Sequence, residues 1–197
     1  MVKIFNKIDD IELVQLIKSG AIGVLPTDTV YGLVGSARMP SILDQINVLK
    51  GREQKAGTIL AGSINQLVEF GLDPLALNKV AYLWPNPVSV IIDCDASAIN
   101  QIQGSGSVAV RIPANEQLRS FLLATGPLVT SSANLSGKQV VSNIEQAKKI
   151  FGENVSFYVD GGDLSDNAAS TIVKLSGDKL TIIRQGSYEL DFTELAS

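Results

Sequence analysis

The stretch VAVRIPANEQLRSFLLATGPLVTSSANLSG, Val108 to Gly137, decides the fold. Val108 to Ile112 is a β-branched run suited to a sheet interior, with Arg111 near its end and Pro113 closing it. Glu116, Leu118, Phe121 and Leu122 follow in helical rhythm over Asn115 to Leu123, and Gly126-Pro127 ends that helix. Leu128 to Thr130 returns to a short strand, which runs straight into the hydroxyls and amide of Thr130-Ser131-Ser132-Ala133-Asn134-Leu135-Ser136-Gly137. Short donors on a tight turn bind phosphate or ribose oxygens as a nest does, and a plain Ser-rich loop is the alternative.

Working outward, the same alternation continues. Ile11, Leu13, Val14, Leu16 and Ile17 recur at helical spacing after Asp9-Asp10, with Gly20 as a left-handed stop. Ile22 to Leu25 reads as a buried strand ending at Pro26, and Thr29 to Val34 resumes an extended pattern after the corner Thr27-Asp28. Pro40 opens a helix that Gly51 terminates, so Lys50 and Arg52 lie at a helix end. Thr58 to Ala61 is a strand, Ser63 caps a short helix to Phe70, and Pro74 opens one reaching Trp84 before Pro85 and Pro87 break the chain. Val88 to Ile92 is another β-branched run, joined to Val108 by a soft linker that includes Gly104-Ser105-Gly106. Ser142 to Phe151 is the last clear helix, followed by strands at Val155 to Val159, Thr171 to Leu175 and Lys179 to Arg184, the last two joined by a Gly177-Asp178 turn. Interleaved strands and helices with a strand-rich final third predict an α/β fold: one domain over residues 1–197, with an open twisted mixed β-sheet, flanking helices and a concave ligand cleft. A doubly wound parallel sheet is the nearest rival.

Composition narrows the chemistry. With 197 residues, 45% hydrophobic and 18% charged, the chain has enough apolar material for one core. It has no histidine and a single cysteine, Cys94, which removes Ser-His-Asp and Cys-His catalysis and the usual transition-metal ligand sets. There is no apolar run of about 18 residues, the first ten residues lack a signal-like apolar region, and no cysteine framework exists, so a cytoplasmic setting with no membrane is expected. A formal net charge of −4 gives no broad electrostatic footprint for nucleic acid. Neither G-x-G-x-x-G nor Walker A occurs, so a nucleotide would have to be held by side chains and other turns.

Two further clusters stand beside the Thr130 to Gly137 turn. Pro26-Thr27-Asp28-Thr29-Val30-Tyr31-Gly32-Leu33 crowds short polar side chains at a strand junction, where a turn whose hydroxyls satisfy their own backbone competes with a ligand corner. Lys50-Gly51-Arg52 brackets a glycine with two cations, suited to a polyphosphate but also ordinary at a helix C-terminus. Arg111 and Arg184 each end a strand and can reach from a sheet edge into a cleft.

In this order, PTDTVYGL, KGR, WPNPVSVII, VAVRIP, TSSANLSG, STIV and IIRQG resemble the YrdC/TsaC family of threonylcarbamoyl-AMP synthases, over roughly residues 20 to 187. The Lys-x-Arg pair matches as Lys50 and Arg52, and the Ser-x-Asn pair as Ser132 and Asn134. The resemblance implies the short, single-domain form of an enzyme that condenses L-threonine, bicarbonate and ATP into threonylcarbamoyl-adenylate with release of pyrophosphate. Partner machinery then transfers the threonylcarbamoyl group to a tRNA adenosine. It further implies that Lys50, Arg52, Ser132 and Asn134 are catalytic, and that Lys50, Arg52, Ser107, Ser132, Asn134 and Arg184 surround ATP. Thr29, Tyr31, Arg111 and Thr130 would form the threonine site. Mg²⁺ is expected to arrive with ATP, with no dedicated protein metal site and no prosthetic group.

The chain departs from the family pattern at Glu53 (usually proline), Asn86 (glycine), Ala61 (a histidine in many members) and Val140 (a serine in some), which bears on substrate preference more than on fold. Two other readings fit the same fold: a double-stranded RNA-binding module or ribosome-associated factor, with weak RNA binding, and a carbamoyl-adenylate handler like the related domain in hydrogenase maturation.

Overall fold

The computed structural model describes residues 1–53, 55–94 and 106–190. The Gly104-Ser105 part of the expected linker lies outside them. The helices are α1 (Ile11–Lys18), α2 (Ser41–Leu49), α3 (Ile64–Glu69), α4 (Pro74–Val80), α5 (Glu116–Thr125) and α6 (Ile144–Phe151). Most begin where a short polar side chain takes up a free N–H. Asp10 accepts from Glu12, Ser63 from Gln66, Asp73 from Leu75 and Ala76, Asn115 from Leu118 and Asn143 from Gln146. The segment from Pro74 stops as an α-helix at Val80 and finishes in one 3₁₀ turn, Ala81–Leu83, short of the expected Trp84.

Among the described residues ten strands form one sheet: β1 (Lys3–Phe5), β2 (Gly23–Pro26), β3 (Tyr31–Ser36), β4 (Thr58–Leu60), β5 (Val88–Asp93), β6 (Ser107–Arg111), β7 (Leu128–Ser132), β8 (Phe157–Val159), β9 (Thr171–Ser176) and β10 (Lys179–Arg184). Their order is β1-β8-β2-β3-β7-β4-β6-β5-β9-β10. Four neighbouring pairs are parallel and five antiparallel, so the sheet is mixed and the all-parallel rival falls. β1, which the sequence pattern does not single out, pairs in parallel with β8.

Strand alternation sends successive side chains to opposite faces. On one face Leu33, Ile59, Val90, Val110 and Val173 join a large core with Ile42 and Ile46 of α2, Leu77 and Val80 of α4, and Ile144 and Phe151 of α6. On the other, Val34, Leu60, Leu128 and Phe157 pack under Leu13 and Ile17 of α1 and Leu118 and Leu122 of α5. Burying each such side chain fully is worth about 1.5–3 kcal/mol. The second core stops short of the β6-β5-β9-β10 end of the sheet, whose side chains on that face include Arg111, Ser89 and Ile172. The concave cleft opens there.

Candidate active site

The cleft encloses a cavity of about 300 Å³ at the meeting of β3, β7, β4, β6, β5, β9 and β10. Three guanidinium groups reach it: Arg52 from beyond the end of α2, Arg111 from the end of β6 and Arg184 from the end of β10. Arg184 reaches it through a bulge. Ile182 opposes Val173, but Arg184 opposes Ile172, so one extra residue turns the arginine from the core face to the cleft face. Its Nη2 then donates to the Ser170 carbonyl at 2.7 Å.

Arg111 is buried, with Nη2 3.2 Å from Asp28 Oδ1 and Nη1 donating to Thr29 Oγ1 at 3.1 Å. Asp28 Oδ2 accepts from the Ala114 N–H at 2.9 Å, which fixes the corner against the start of α5. Burial pulls the Arg111 guanidinium down from its ordinary value; Asp28 opposes this and Arg184 adds to it. Among the described residues, Nε of Arg111 and Nη2 of Arg52 are buried donors with no hydrogen-bond partner. A buried N–H left unpaired costs about 1–3 kcal/mol, more on a charged group, so both donors are open valences for an anion. Burial also lowers Arg52 and Arg184 from their ordinary values.

The Pro26 to Leu33 corner resolves by proton counting. Thr27 Oγ1 donates to the Val30 carbonyl at 2.7 Å, so in its 2.9 Å contact with Thr29 Oγ1 the Thr29 hydroxyl is the donor. Both hydroxyl protons are spent inside the corner, as the turn reading expects. Thr29 still meets the cavity because it holds Arg111. Thr130 lines the cavity but donates to the Leu33 carbonyl at 3.1 Å. That approach needs a glycine at the diagonal position 32 of β3, where a Cβ would lie 2.6 Å from Thr130 Oγ1. Tyr31 is fully buried; its hydroxyl faces away to the 160–163 loop, donating to the Gly162 carbonyl at 2.9 Å and accepting from the Gly161 N–H at 2.8 Å. It shapes the wall and has no free hydroxyl for a ligand.

Lys50 and Arg52 part company at Gly51. Gly51 has φ +61°, its N–H donates to the Val48 carbonyl, and the Arg52 N–H donates to that of Asn47, which is a Schellman C-cap. The turn sends Lys50 inward. Its ammonium donates to the Ser132 carbonyl, to the Asn134 carbonyl at 3.0 Å and to Asn134 Oδ1 at 2.8 Å, which uses all three protons. Asn134 Oδ1 also accepts from the Ser132 hydroxyl at 2.7 Å, and its Nδ2 donates to the Leu135 and Lys138 carbonyls at 2.9 and 2.7 Å. Burial, and then the charge of Arg52, lowers the Lys50 ammonium to about 8.

Of the ten residues singled out from the sequence, Thr29, Tyr31, Arg52, Arg111, Thr130, Ser132 and Arg184 line this cavity. Lys50 and Asn134 sit behind its wall as a knot that holds the Ser132 turn. Ser107 is on the same face of β6 as Arg111 but at the far end, opposite Asp93, and does not line the cavity. Among the departures, Val140 is in the wall, while Ala61 is buried with its N–H on the Arg111 carbonyl. Asn86 closes the turn before β5 by donating to the Leu83 carbonyl at 3.2 Å. Asn47, which the motifs do not point to, proves to hold Arg52: its Oδ1 accepts from Arg52 Nε at 2.7 Å and its Nδ2 donates to the Lys55 carbonyl at 3.1 Å. The signal for it was the glycine at the helix stop, which fixes Asn47 and Arg52 as facing positions.

A mixed sheet, half covered on one face and gathering three guanidiniums on the bare remainder, defines an α/β protein with an arginine-lined cleft. The chain belongs to the Sua5/YciO/YrdC family, whose model, described as "Telomere recombination", matches residues 15–186. A Mycobacterium tuberculosis (strain H37Rv) protein that bears threonylcarbamoyl-AMP synthase as a provisional name is 31% identical over 181 residues, covering 89% of this chain and 83% of its own. The Marinobacter nauticus protein named threonylcarbamoyl-AMP synthase is 29% identical over 167 residues, with 82% and 88% covered. The fold matches that of Pyrococcus abyssi Sua5 complexed with L-threonine, with a TM-score of 0.82 and 24% identity over 99% of this chain and 59% of that one. The present chain thus spans about three-fifths of the Sua5 chain. Among the described residues no helix is long and apolar enough to cross a membrane.

Proposed function

We propose that the protein is an L-threonylcarbamoyladenylate synthase, a nucleotidyltransferase of the cytoplasm that joins L-threonine, bicarbonate and ATP into threonylcarbamoyl-adenylate and releases pyrophosphate for tRNA modification. The observation that carries this reading is the convergence of Arg52, Arg111 and Arg184 on one small cavity, two of them with buried donors unpaired. Names of relatives and the L-threonine complex of Sua5 support the substrate class.

On this reading the threonine carboxylate meets Arg111, whose Nε is open and whose guanidinium is braced by Asp28 and Thr29. The triphosphate lies between Arg52 and Arg184, with Ser132 beside them. A carbamate oxygen attacks the α-phosphorus and pyrophosphate leaves, so the enzyme's task is to hold the two anions in line and stabilise charge on the phosphoryl oxygens. No histidine or covalent nucleophile is needed. Asp28, the carboxylate of this corner, is engaged with Arg111 and the Ala114 N–H, so Mg²⁺ would come with ATP and be held chiefly by its phosphates. Lys50 and Asn134 act by keeping the Ser132 turn in place.

The RNA-binding alternative is not favoured: the cations converge in a cavity of about 300 Å³ instead of along a surface, in a chain of net charge −4. The test is pyrophosphate release from ATP and bicarbonate with and without L-threonine. Threonine-dependent release, reduced about 10²–10³-fold in Arg52→Ala, is the expected result. Release that ignores threonine overturns the reading.

A further inference from the structure

We infer that Asn47 is a positioning residue for Arg52, a role that rests on the anion-site reading above. In a Schellman C-cap the side chains three before the cap and two after it face each other, and the usual contact between them is apolar. Here those positions hold Asn47 and Arg52. The apolar contact is replaced by a hydrogen bond of 2.7 Å from Arg52 Nε to Asn47 Oδ1. Asn47 is only 3% exposed, so solvent does not compete for this bond.

The consequence is directional. A guanidinium is a planar fork, so fixing Nε fixes where its other edge looks. With Nε held by Asn47, Nη2 is left buried and unpaired at the cavity wall. The other half of the asparagine side chain, Nδ2, donates to the Lys55 carbonyl at 3.1 Å and so ties down the chain on the far side of Arg52. One amide therefore sets both the torsion of the arginine and the path of the backbone that carries it. A leucine at position 47 could pack on the aliphatic stem of Arg52 and leave the backbone cap intact, yet would leave the fork free to swing. The asparagine makes sense as a device for aiming Arg52.

The experiment is a double-mutant cycle read by calorimetric binding of inorganic pyrophosphate and of ATP, using Asn47→Leu, Asn47→Ala, Arg52→Ala and the combined variants, each checked for a native thermal transition. Either Asn47 variant should weaken binding about tenfold in the wild-type background, because a misaimed charge loses much of its contact. In the Arg52→Ala background the same substitution should change nothing, since Asn47 has no ligand contact of its own to lose. Equal losses in both backgrounds, or no loss in the wild-type background, overturn the positioning role. If Arg52→Ala itself leaves pyrophosphate and ATP binding unchanged, the anion-site reading fails instead, and the positioning role falls with it. Using both leucine and alanine keeps the test valid if one of them fails to fold.

Discussion

Lys50 and Arg52 are two cations one glycine apart, and the structure uses them in opposite ways. All three ammonium protons of Lys50 are taken by oxygens of Ser132 and Asn134. Arg52 has one nitrogen held by Asn47 and another buried without a partner among the described residues. The same contrast separates two regions: the knot of Lys50, Ser132 and Asn134 is saturated, and the arginine wall is left incomplete. A saturated network stabilises and aims; an incomplete one waits for a ligand, at a cost in the empty protein. Motif membership alone does not tell the two apart, because both cations sit in the one motif Lys50-Gly51-Arg52.

The largest expected effect attacks the knot. Asn134→Ala removes an acceptor shared by Lys50 and Ser132 and the amide's bonds to the Leu135 and Lys138 carbonyls, so at about 1 kcal/mol for each of these hydrogen bonds it should cost about 3–4 kcal/mol in denaturant unfolding. Arg52→Ala, by contrast, leaves Asn47 Oδ1 without its partner but also removes a buried charge with an unmet donor, so these effects offset in part and it should cost about 1 kcal/mol while activity collapses. If Arg52→Ala unfolds the protein as readily as Asn134→Ala, the division into knot and wall is wrong.

A second, smaller effect tests the seam between β3 and β7. Gly32→Ala places a methyl 2.6 Å from Thr130 Oγ1, against a hydroxyl already tied to the Leu33 carbonyl. We expect a loss of about 1–3 kcal/mol, read as a lowered midpoint of thermal or urea unfolding. In a Thr130→Ala background the same glycine substitution should cost less. Equal costs would mean that the close approach does not depend on the hydroxyl.

Much of the architecture was legible in the sequence because local rules decided it. Asp10, Ser63, Asn115 and Asn143 cap helices that periodicity locates, and the Gly177-Asp178 turn joins β9 to β10 as spacing implies. What escaped depended on partners remote in sequence. β1 is three residues long and is defined by its pairing with β8, more than 150 positions away. The bulge that turns Arg184 to the cleft exists only relative to β9. In the site, residue types marked the right neighbourhood, and Arg111 and Arg184 do reach the cavity. Roles were less legible. Which donors remain open is settled by proton counting over bonds such as Thr27 to Val30 and Lys50 to Asn134, and these are invisible until the chain is folded.

The subtlest effect is a pH dependence, and its sign separates two accounts of the knot. Burial lowers the Lys50 ammonium from 10.5 to about 8, and the nearby Arg52 charge pushes the same way. Between those values the unfolded chain binds more protons than the folded one, so the contribution of Lys50 to stability improves as the pH rises through that window. Below it both states are protonated, and the burial penalty is full and constant. Lys50→Met lacks this titration. The difference in melting temperature, wild type minus Lys50→Met, should therefore climb between about pH 8 and pH 10.5. A difference that stays level over that range and falls only above about pH 10.5 would show that the three hydrogen bonds outweigh desolvation and that the knot needs its charge. Lys50 would then be an ion held tightly by its acceptors, and the knot would loosen with rising pH, carrying Ser132 away from the cavity as it did so.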